Sequence, residues 1–248
     1  MGRTLVALLA EFPRLALHAA VVEPGSPLTG TAVDGVPTVR YGTDLAAALP
    51  GARLVIDFSS AAVCAEHLRA CGAARVPLLL GTTGAGAALE PEAAIAATRC
   101  AVLIASNTSV GVALLSELVQ RAAAVLPGGF DIEIVEAHHR HKVDAPSGTA
   151  LTLGAAAAAG RGQDPDRSNE YARHGASGPR AAGAIGFAVV RGGDVVGEHE
   201  VLFLGPGERL SLKHSATDRS IFARGALAAG QWLADQPPGR YSMRDFLK

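Results

Sequence analysis

Short apolar runs alternate with mixed stretches over roughly the first hundred residues. Continuous apolar runs of about four to eight residues are typical of strands covered on both faces. They predict strands at residues 15–22, 54–58, 76–80 and 101–105. The stretches around them predict helices at residues 1–13, 44–49, 61–71 (with Ser59 and Ser60 as caps) and 91–98. This alternation indicates an α/β domain with a doubly wound parallel sheet of the nucleotide-binding type.

The pattern changes after residue 110, where strands follow one another. Longer helices are predicted at 111–126 and 221–233, and strands at 132–135, 185–191, 194–204 and 208–214. The glycine-containing joins between the last three strands predict antiparallel hairpins. The stretch 164–183, rich in Gly, Ser, Arg and Pro, is expected to be mobile or to become ordered on binding. We therefore expect a dinucleotide-binding domain at 1–109 and 219–248, and an α+β domain with an open mixed or antiparallel sheet at 110–218.

Composition narrows the class of protein. The chain has 248 residues, of which 49% are hydrophobic and 18% charged, and its formal net charge is −1, so neither disorder nor a nucleic-acid partner is indicated. The longest run of small apolar residues, 150–160, is far shorter than the roughly 20 residues that a membrane span needs. We expect a cytoplasmic protein without a membrane segment.

The three cysteines form no CxxC pair, and burial is expected for each: Cys64, Cys71 and Cys100.

Residues 136–150, EAHHRHKVDAPSGTA, carry the densest chemistry in the chain. If the preceding strand continued, His138 and Arg140 would face one side and His139 and His141 the other. That alternation argues against a metal site, which needs several ligands to converge, and no HExxH spacing is present. A metal site and a solvated polar loop both remain less favoured alternatives at this point.

The second half of the motif favours an anion site with a proton donor beside it. Ser147-Gly148-Thr149 precede a helix-compatible run, and the first amides of a helix bind carboxylates or phosphates well. Lys142 adds a positive charge a few residues upstream, and histidine is suited to proton transfer near neutral pH. Together these groups suit the reduction of a C=C or C=N bond in a carboxylated substrate.

This motif resembles the signature of the dihydrodipicolinate reductase family. Further segments occur in the family's order: VIDFS, GTTG, ASNTSVGV, GFAVVRGGDVVGEHEVLF and the closing MRD. The resemblance implies a Rossmann-like first domain and nicotinamide-dependent reduction of 4-hydroxy-tetrahydrodipicolinate, a cyclic dicarboxylate, to tetrahydrodipicolinate. That reaction belongs to lysine and diaminopimelate biosynthesis. It also implies a homotetramer built through the sheet of the second domain.

The resemblance further implies roles for individual residues. His138 matches the proton donor or acceptor, Lys142 the second proton donor, His139 a substrate-binding residue, and Gly148 and Thr149 the substrate carboxylate site. On the cofactor side, Glu23 matches the acid that holds the adenosine ribose. The remaining cofactor positions form two loops, one at the nicotinamide and one at the hinge: Gly81, Thr82 and Thr83, then Ala105, Ser106, Asn107 and Thr108. No metal is implied.

The chain departs from the family pattern at two places. Pro24 stands where many members carry an arginine that can reach a 2′-phosphate, which favours NADH over NADPH, although Arg40 could supply that charge. The family also opens with an apolar strand and a glycine-rich turn ending GRMGR. Here Met1-Gly2-Arg3 match the end of that turn, so Met1 is expected at the cofactor. One hypothesis is that the natural protein begins upstream. The alternative is a truncated, catalytically weak or silent homologue that retains only the tetrameric substrate-domain assembly.

Overall fold

The computed structural model describes residues 1–84 and 86–248 and belongs to the α/β class, as predicted. The chain divides into two compact units. Unit 1 comprises Met1–Val110 with Ser220–Lys248, and unit 2 comprises Gly111–Arg219.

Unit 1 contains short strands with helices between them. In chain order its first part contains α1 (Gly2–Leu8), a 3₁₀ turn (Leu9–Glu11), β1 (Ala20–Val21), β2 (Ala32–Val33), β3 (Val36–Gly42), α2 (Leu45–Ala48), β4 (Val55–Asp57), α3 (Cys64–Ala74), β5 (Leu78–Leu80), a second 3₁₀ turn (Gly86–Leu89), α4 (Glu90–Ala97) and β6 (Ala101–Ile104). Unit 2 contains α5 (Val110–Val125) from its second residue onwards, followed by β7 (Asp131–His138), α6 (Gly148–Gly160), α7 (Pro165–Ser168), β8 (Asn169–Glu170), β9 (Ile185–Arg191), β10 (Gly197–Gly205) and β11 (Glu208–Ala216). The chain then returns to unit 1 with α8 (Ser220–Leu233), β12 (Gly239–Tyr241) and α9 (Met243–Phe246).

The main sheet of unit 1 is parallel throughout, in the order β12-β6-β5-β4. Leu78 and Leu80 of β5 are fully buried and share a core with Leu68 of α3. On β4, Ile56 lies against Gly230 of α8, so helices cover both faces. The predicted doubly wound arrangement is therefore confirmed for this sheet, and its strands are apolar because neither face meets water.

Several local predictions for unit 1 were wrong. The strand expected at 15–22 is reduced to β1, which pairs only with β3 in a separate three-stranded sheet. The β2–β3 hairpin of that sheet was not predicted. Helix α3 begins at Cys64 and has no side-chain cap: the Ser59 amide and side chain bond to the Asp57 carboxylate, and the Ser60 carbonyl accepts from Val63 in a turn.

Unit 2 is built on a mixed five-stranded sheet in the order β11-β10-β7-β9-β8. β7 lies in its centre, antiparallel to β10 and parallel to β9. The hairpin predicted at Gly192-Gly193 is therefore wrong: β7 occupies the place between β9 and β10. The hairpin predicted at Gly205-Pro206-Gly207 is present as β10–β11, and Gly207 takes the positive φ of 79° that this tight turn requires.

Helices α5 and α6 pack on the face of this sheet that carries Ile132 and Ile134. Small residues let the helices approach closely. A Cβ at Gly160, the last residue of α6, would lie 2.4 Å from the backbone oxygen of Gln120 in α5. The alanine run of α6 thus serves close helix packing rather than chemistry.

The stretch 164–183, expected to be mobile or to become ordered on binding, makes several contacts with the sheet. Arg180 donates to the side chains of Asp131 and Glu133 and to the carbonyl of Ile132, all on β7. Arg173 also contacts Glu133. An arginine can hold a loop in this way because its planar fork donates in several directions at once.

Burial of the three cysteines is confirmed, and burial raises the pKa of the Cys71 thiol to about 12. Within the described part of the chain, no helix combines the length and the apolar character needed to cross a bilayer. The same part contains no group of three or more His, Cys, Asp or Glu side chains arranged to hold a metal ion.

Candidate active site

Two ionisable side chains, Glu136 and His138, are buried at the end of β7. Alternate residues of this strand face the core, and the positions continue from Ile132 and Ile134 to Glu136, 1% exposed, and His138, 8% exposed. The strand ends at His138. The alternation that would have placed His138 with Arg140 therefore does not continue, and the following residues form a turn instead.

The Glu136 carboxylate accepts hydrogen bonds from three neighbouring residues. Both terminal nitrogens of Arg191 donate to it at 2.7 Å, the Ser147 amide donates to Oε1 at 2.9 Å, and His138 Nδ1 lies 2.6 Å from Oε2. Burial alone would raise the pKa of Glu136, but the bonds from Arg191, His138 and Ser147 outweigh it and hold the pKa below its ordinary value. The group is therefore an ionised carboxylate with its acceptor sites occupied.

This contact determines which nitrogen of His138 can accept and release a proton. An ionised carboxylate can only accept, so Nδ1 carries the hydrogen and the neutral ring has its lone pair on Nε2. A Cβ at position 197 would lie 3.1 Å from Nε2, and Gly197 leaves that space open. Burial lowers the pKa of His138, against the raising effect of Glu136. Near neutral pH the ring is therefore mainly a base at Nε2.

The N-terminus of α6 lies beside this pair. Ser147 is its N-cap: the hydroxyl accepts from the Ala150 amide at 3.2 Å and bonds to His199 Nε2 at 2.9 Å. Ser147 is thus occupied within the protein. Gly148 and Thr149 form the first turn of the helix, where amides point outward and the helix dipole favours an anion.

The turn after β7 carries the remaining predicted groups of unit 2. The backbone amide of Lys142 donates to the His139 carbonyl, and the side-chain ammonium of Lys142 pairs with the Asp144 carboxylate at 2.8 Å. His139 Nε2 accepts from Arg219 at 3.1 Å. The positive charge of Lys142 acts on His138 and contributes to lowering the pKa of that ring. His138, Lys142 and the start of α6 are therefore close together in one unit.

In unit 1 the first predicted cofactor loop follows β5. The buried Gly81 donates its amide to the Asp57 carbonyl at 2.8 Å, and Thr82 Oγ1 lies 3.4 Å from the Asp57 carboxylate. Thr83 is exposed. Asp57 was not predicted, yet its carboxylate also bonds to His67 Nδ1 at 2.7 Å. Asp57 therefore links the ends of β4 and β5 through hydrogen bonds.

The second predicted loop follows β6, the neighbour of β5. Ala105 is buried, and its amide donates to Leu80 at 3.0 Å. Ser106 is exposed, whereas the Asn107 side chain accepts from the next-but-one amide. Thr108 is 2% exposed, and its hydroxyl donates to the Phe222 carbonyl of α8 at 2.7 Å. The Thr108 side chain therefore holds the loop to α8.

Met1 and Glu23 lie outside these two loops. Met1 precedes α1 as its N-cap and is 43% exposed. Glu23 is exposed just after β1, which belongs to the three-stranded sheet rather than to the parallel one. The structure therefore brings the residues 81–83 and 105–108 to neighbouring strand ends but joins neither Met1 nor Glu23 to them through a sheet.

Comparison with known proteins decides the family. The profile "Dihydrodipicolinate reductase, N-terminus" matches residues 1–108, and "Dihydrodipicolinate reductase, C-terminus" matches residues 111–247. The chain belongs to the dihydrodipicolinate reductase family. Proteins named 4-hydroxy-tetrahydrodipicolinate reductase from Thiobacillus denitrificans and Anaeromyxobacter dehalogenans are each 48% identical to it. The aligned regions cover 100% of this chain and 94% and 93% of those proteins.

Solved structures support the fold. The dipicolinate-bound dihydrodipicolinate reductase from Paenisporosarcina sp. TG-14 has a TM-score of 0.77 at 23% identity, covering 97% of this chain and 92% of the other. A probable dehydrogenase from Thermotoga maritima has a TM-score of 0.61 at 12% identity, covering 98% and 88%. The resemblance drawn from the sequence is thus confirmed, as is membership of a nicotinamide-dependent reductase family. The silent-homologue alternative is not favoured, since the relatives match the whole chain. The roles of individual residues stay predictions.

Two residues of the candidate site were missed from the sequence. Arg191 lies opposite His138 in the β7–β9 register, and His199 lies opposite Glu136 in the β7–β10 register. His199 is 4% exposed, and burial lowers its pKa to about 4. Both positions could be found only after β7 was placed between β9 and β10, because no local spacing connects them to the motif.

Proposed function

We propose that this chain catalyses the nicotinamide-dependent reduction of 4-hydroxy-tetrahydrodipicolinate to tetrahydrodipicolinate in lysine and diaminopimelate biosynthesis. One observation carries the proposal: a buried histidine with its basic nitrogen defined lies beside a lysine and a helix N-terminus. This arrangement occurs in a chain 48% identical, over its whole length, to proteins named for that reaction. It provides a proton donor and a carboxylate cradle in one unit.

The residues of unit 2 bind the substrate and deliver the proton. Gly148 and Thr149 hold a substrate carboxylate with the first amides of α6, and His139 contributes to binding. His138 transfers the proton through Nε2, and Lys142, as an ammonium, is the second proton donor. Burial of His138 keeps bulk water from competing for the proton.

The residues of unit 1 fit a nicotinamide cofactor. When bound, the cofactor supplies the hydride equivalent. Gly81 is required by packing, since a Cβ there would meet the Phe58 ring, and it begins the loop that carries the exposed Thr83 at the carboxyl end of β5, the edge at which parallel sheets bind ligands. The exposed Glu23 carboxylate after β1 can accept from ribose hydroxyls. We propose that the loops 81–83 and 105–108, with Met1 and Glu23, hold the cofactor.

We propose NADH as the preferred cofactor. Pro24 offers neither a charge nor a donor beside Glu23, and the Arg40 guanidinium donates to the Gly30 carbonyl at 2.7 Å. A 2′-phosphate would therefore gain little here without displacing Arg40 from that contact. The ratio of kcat/KM for NADH over NADPH is the measurement, and a strong NADPH preference would refute this assignment.

We further propose a cytoplasmic homotetramer assembled through the sheet of unit 2. The edge strand β11 exposes most of its residues, and Leu210 is 39% exposed. Exposed strand edges favour pairing with another chain. Mass measurement in solution tests this assembly, and a monomer at working concentration would contradict it.

The deciding experiment follows NADH consumption by absorbance, with substrate generated in situ from pyruvate and aspartate semialdehyde. His138→Gln and Lys142→Ala should each reduce kcat about 10²-fold or more, because each removes a proton donor. The matched control is His174→Gln, a substitution of an exposed histidine in the same unit. Full activity in the two site variants, or an equal loss in the control, would refute the assignment.

A further inference from the structure

Glu136 occupies a position where the sheet otherwise places apolar residues. It continues the inward-facing series of Ile132 and Ile134 and is itself 1% exposed. Burying an ion pair such as Glu136–Arg191 seldom stabilises a fold more than apolar side chains of similar volume would. The pair therefore points to a task other than stability.

We propose that Glu136 is a positioning residue for the reaction. Its carboxylate orients the His138 ring and favours its protonation through Oε2, and it holds the start of α6 through Oε1. The proposal rests on the proposed function, because it assumes that His138 donates the proton. It goes beyond the roles implied by the family resemblance, none of which falls on Glu136 or Arg191.

The first part of the role concerns the proton. Groups from four directions face His138: Glu136 on its own strand, Arg191 on β9, His199 on β10 and Lys142 in the following turn. Burial and the two cations disfavour a second proton on the ring, whereas Glu136 favours it. Without Glu136 the ring would still be buried beside two cations, so the imidazolium needed for donation would be much rarer.

The second part of the role concerns the distance between the His138 ring and the start of α6. Oε1 accepts from the Ser147 amide at 2.9 Å, and Ser147 is the N-cap of the helix whose first turn carries Gly148 and Thr149. One carboxylate thus bonds both to the proton-transferring ring and to the residue before the carboxylate cradle. Arg191 fixes that carboxylate with two bonds and also donates to the Asp144 carbonyl at 2.8 Å. Errors of about 1 Å in such sites reduce rates substantially.

The test compares Glu136→Gln with Glu133→Gln. Glu133 lies on the same strand and also pairs with arginines, Arg173 and Arg180, but it faces the other side of the sheet from His138. Two quantities are measured: the kinetic constants, and the titration of His138 in the free protein by NMR with ¹³C-labelled histidine. The chain has 8 histidines, so the His138 signal is assigned by its loss in His138→Gln.

We expect Glu136→Gln to lower kcat about 10²-fold or more with a smaller change in KM, and to move the His138 titration to lower pH. Glu133→Gln should change neither quantity. A purely structural role predicts lower stability without a selective loss of kcat. A folded Glu136→Gln protein with an unmoved titration, or with a raised KM alone, would therefore overturn the proposal.

A second variant keeps the test decisive if Glu136→Gln does not fold. Glu136→Asp retains the charge for Arg191 but is one methylene shorter, so it cannot reach both His138 and Ser147. We expect it to fold with reduced kcat and a shifted His138 titration; wild-type values for both would overturn the proposal. If the wild-type protein reduced no substrate while Glu136→Gln still moved the titration, the proposed function would fail and the Glu136–His138 coupling would stand.

Discussion

We expect the buried His199 to lower the stability of the protein on mild acidification. Its ordinary pKa of 6.5 is lowered by burial to about 4 in the folded protein. Between these pH values the unfolded chain binds a proton at this position that the folded chain excludes. The free energy of unfolding contributed by His199 is therefore constant above about pH 6.5 and falls as the pH is lowered towards 4.

The size of this effect follows from the two pKa values. The gap between 6.5 and about 4, at about 1.36 kcal/mol for each pH unit, corresponds to a loss of about 3 kcal/mol. His199 is 4% exposed, and its Nδ1 atom has no hydrogen-bond partner among the described residues, so neither solvent nor an acceptor at Nδ1 stabilises the charged ring. A loss of this size is a large fraction of the roughly 5–15 kcal/mol that stabilises a typical protein.

Chemical denaturation at several pH values between about 4 and about 7 measures the effect when wild type is compared with His199→Gln. Gln places an amide near the position of Nε2, so the bond to Ser147 can be kept while the titrating group is lost. Far-UV circular dichroism follows both units, whereas the single tryptophan, Trp232, lies in unit 1. The exposed His174 provides the control, His174→Gln.

Comparison of variants is necessary because other histidines titrate in the same range. Burial lowers the pKa of His138 and His214, which therefore act in the same direction as His199. The pKa of His67 is raised by its bond to Asp57, and this contribution is present at low pH and lost as the pH rises. The His67 contribution cancels in the difference between wild type and His199→Gln, and those of His138 and His214 cancel except for their direct interaction with His199. If the two proteins lost stability in parallel on acidification, the reasoning would be refuted.

Three further substitutions test the packing. Ser147→Ala should lower the free energy of unfolding by about 2–4 kcal/mol, because it removes a helix cap and leaves His199 Nε2 buried without a partner; urea denaturation measures this. Gly225→Ala should destabilise α8 despite the better helix propensity of Ala, since the added Cβ would collide with the backbone carbonyl oxygen of Thr108; an unchanged thermal midpoint would contradict that close packing. Arg180→Ala should expose the segment between α7 and β9 to limited proteolysis, and an unchanged cleavage pattern would show that other contacts hold the segment.

The sequence predicted elements well where a local pattern has one physical cause. The run around Leu78–Leu80 is apolar at every position because helices cover both faces of its strand. The hydroxyl of Ser147 could be placed at a helix N-terminus because the capping preference is local. The same local rule failed at Ser59, whose amide and side chain both bond to the Asp57 carboxylate two residues earlier, and α3 begins only at Cys64. A second local hydrogen bond can thus engage a capping side chain, and the capping preference alone does not decide between the two.

Local sequence patterns could not predict the order in which the strands of unit 2 pair. The short Gly192-Gly193 join favours a hairpin, and nothing in that join reveals that β7 enters between the two strands it connects. β7 can take the central place because its inward positions, including Ile132 and Ile134, are fully buried. Once it does so, Arg191 and His199 come to either side of its end, and both were absent from the predicted site.

The central place of β7 also explains why core and candidate site share one face. The strand is paired on both sides, and its inward series changes from apolar to ionisable only at the last two inward positions, Glu136 and His138. Helix α6 packs on that same face and begins at Ser147, which bonds to Glu136. The packing that buries Ile134 thus also sets where the His138 ring and the start of α6 lie.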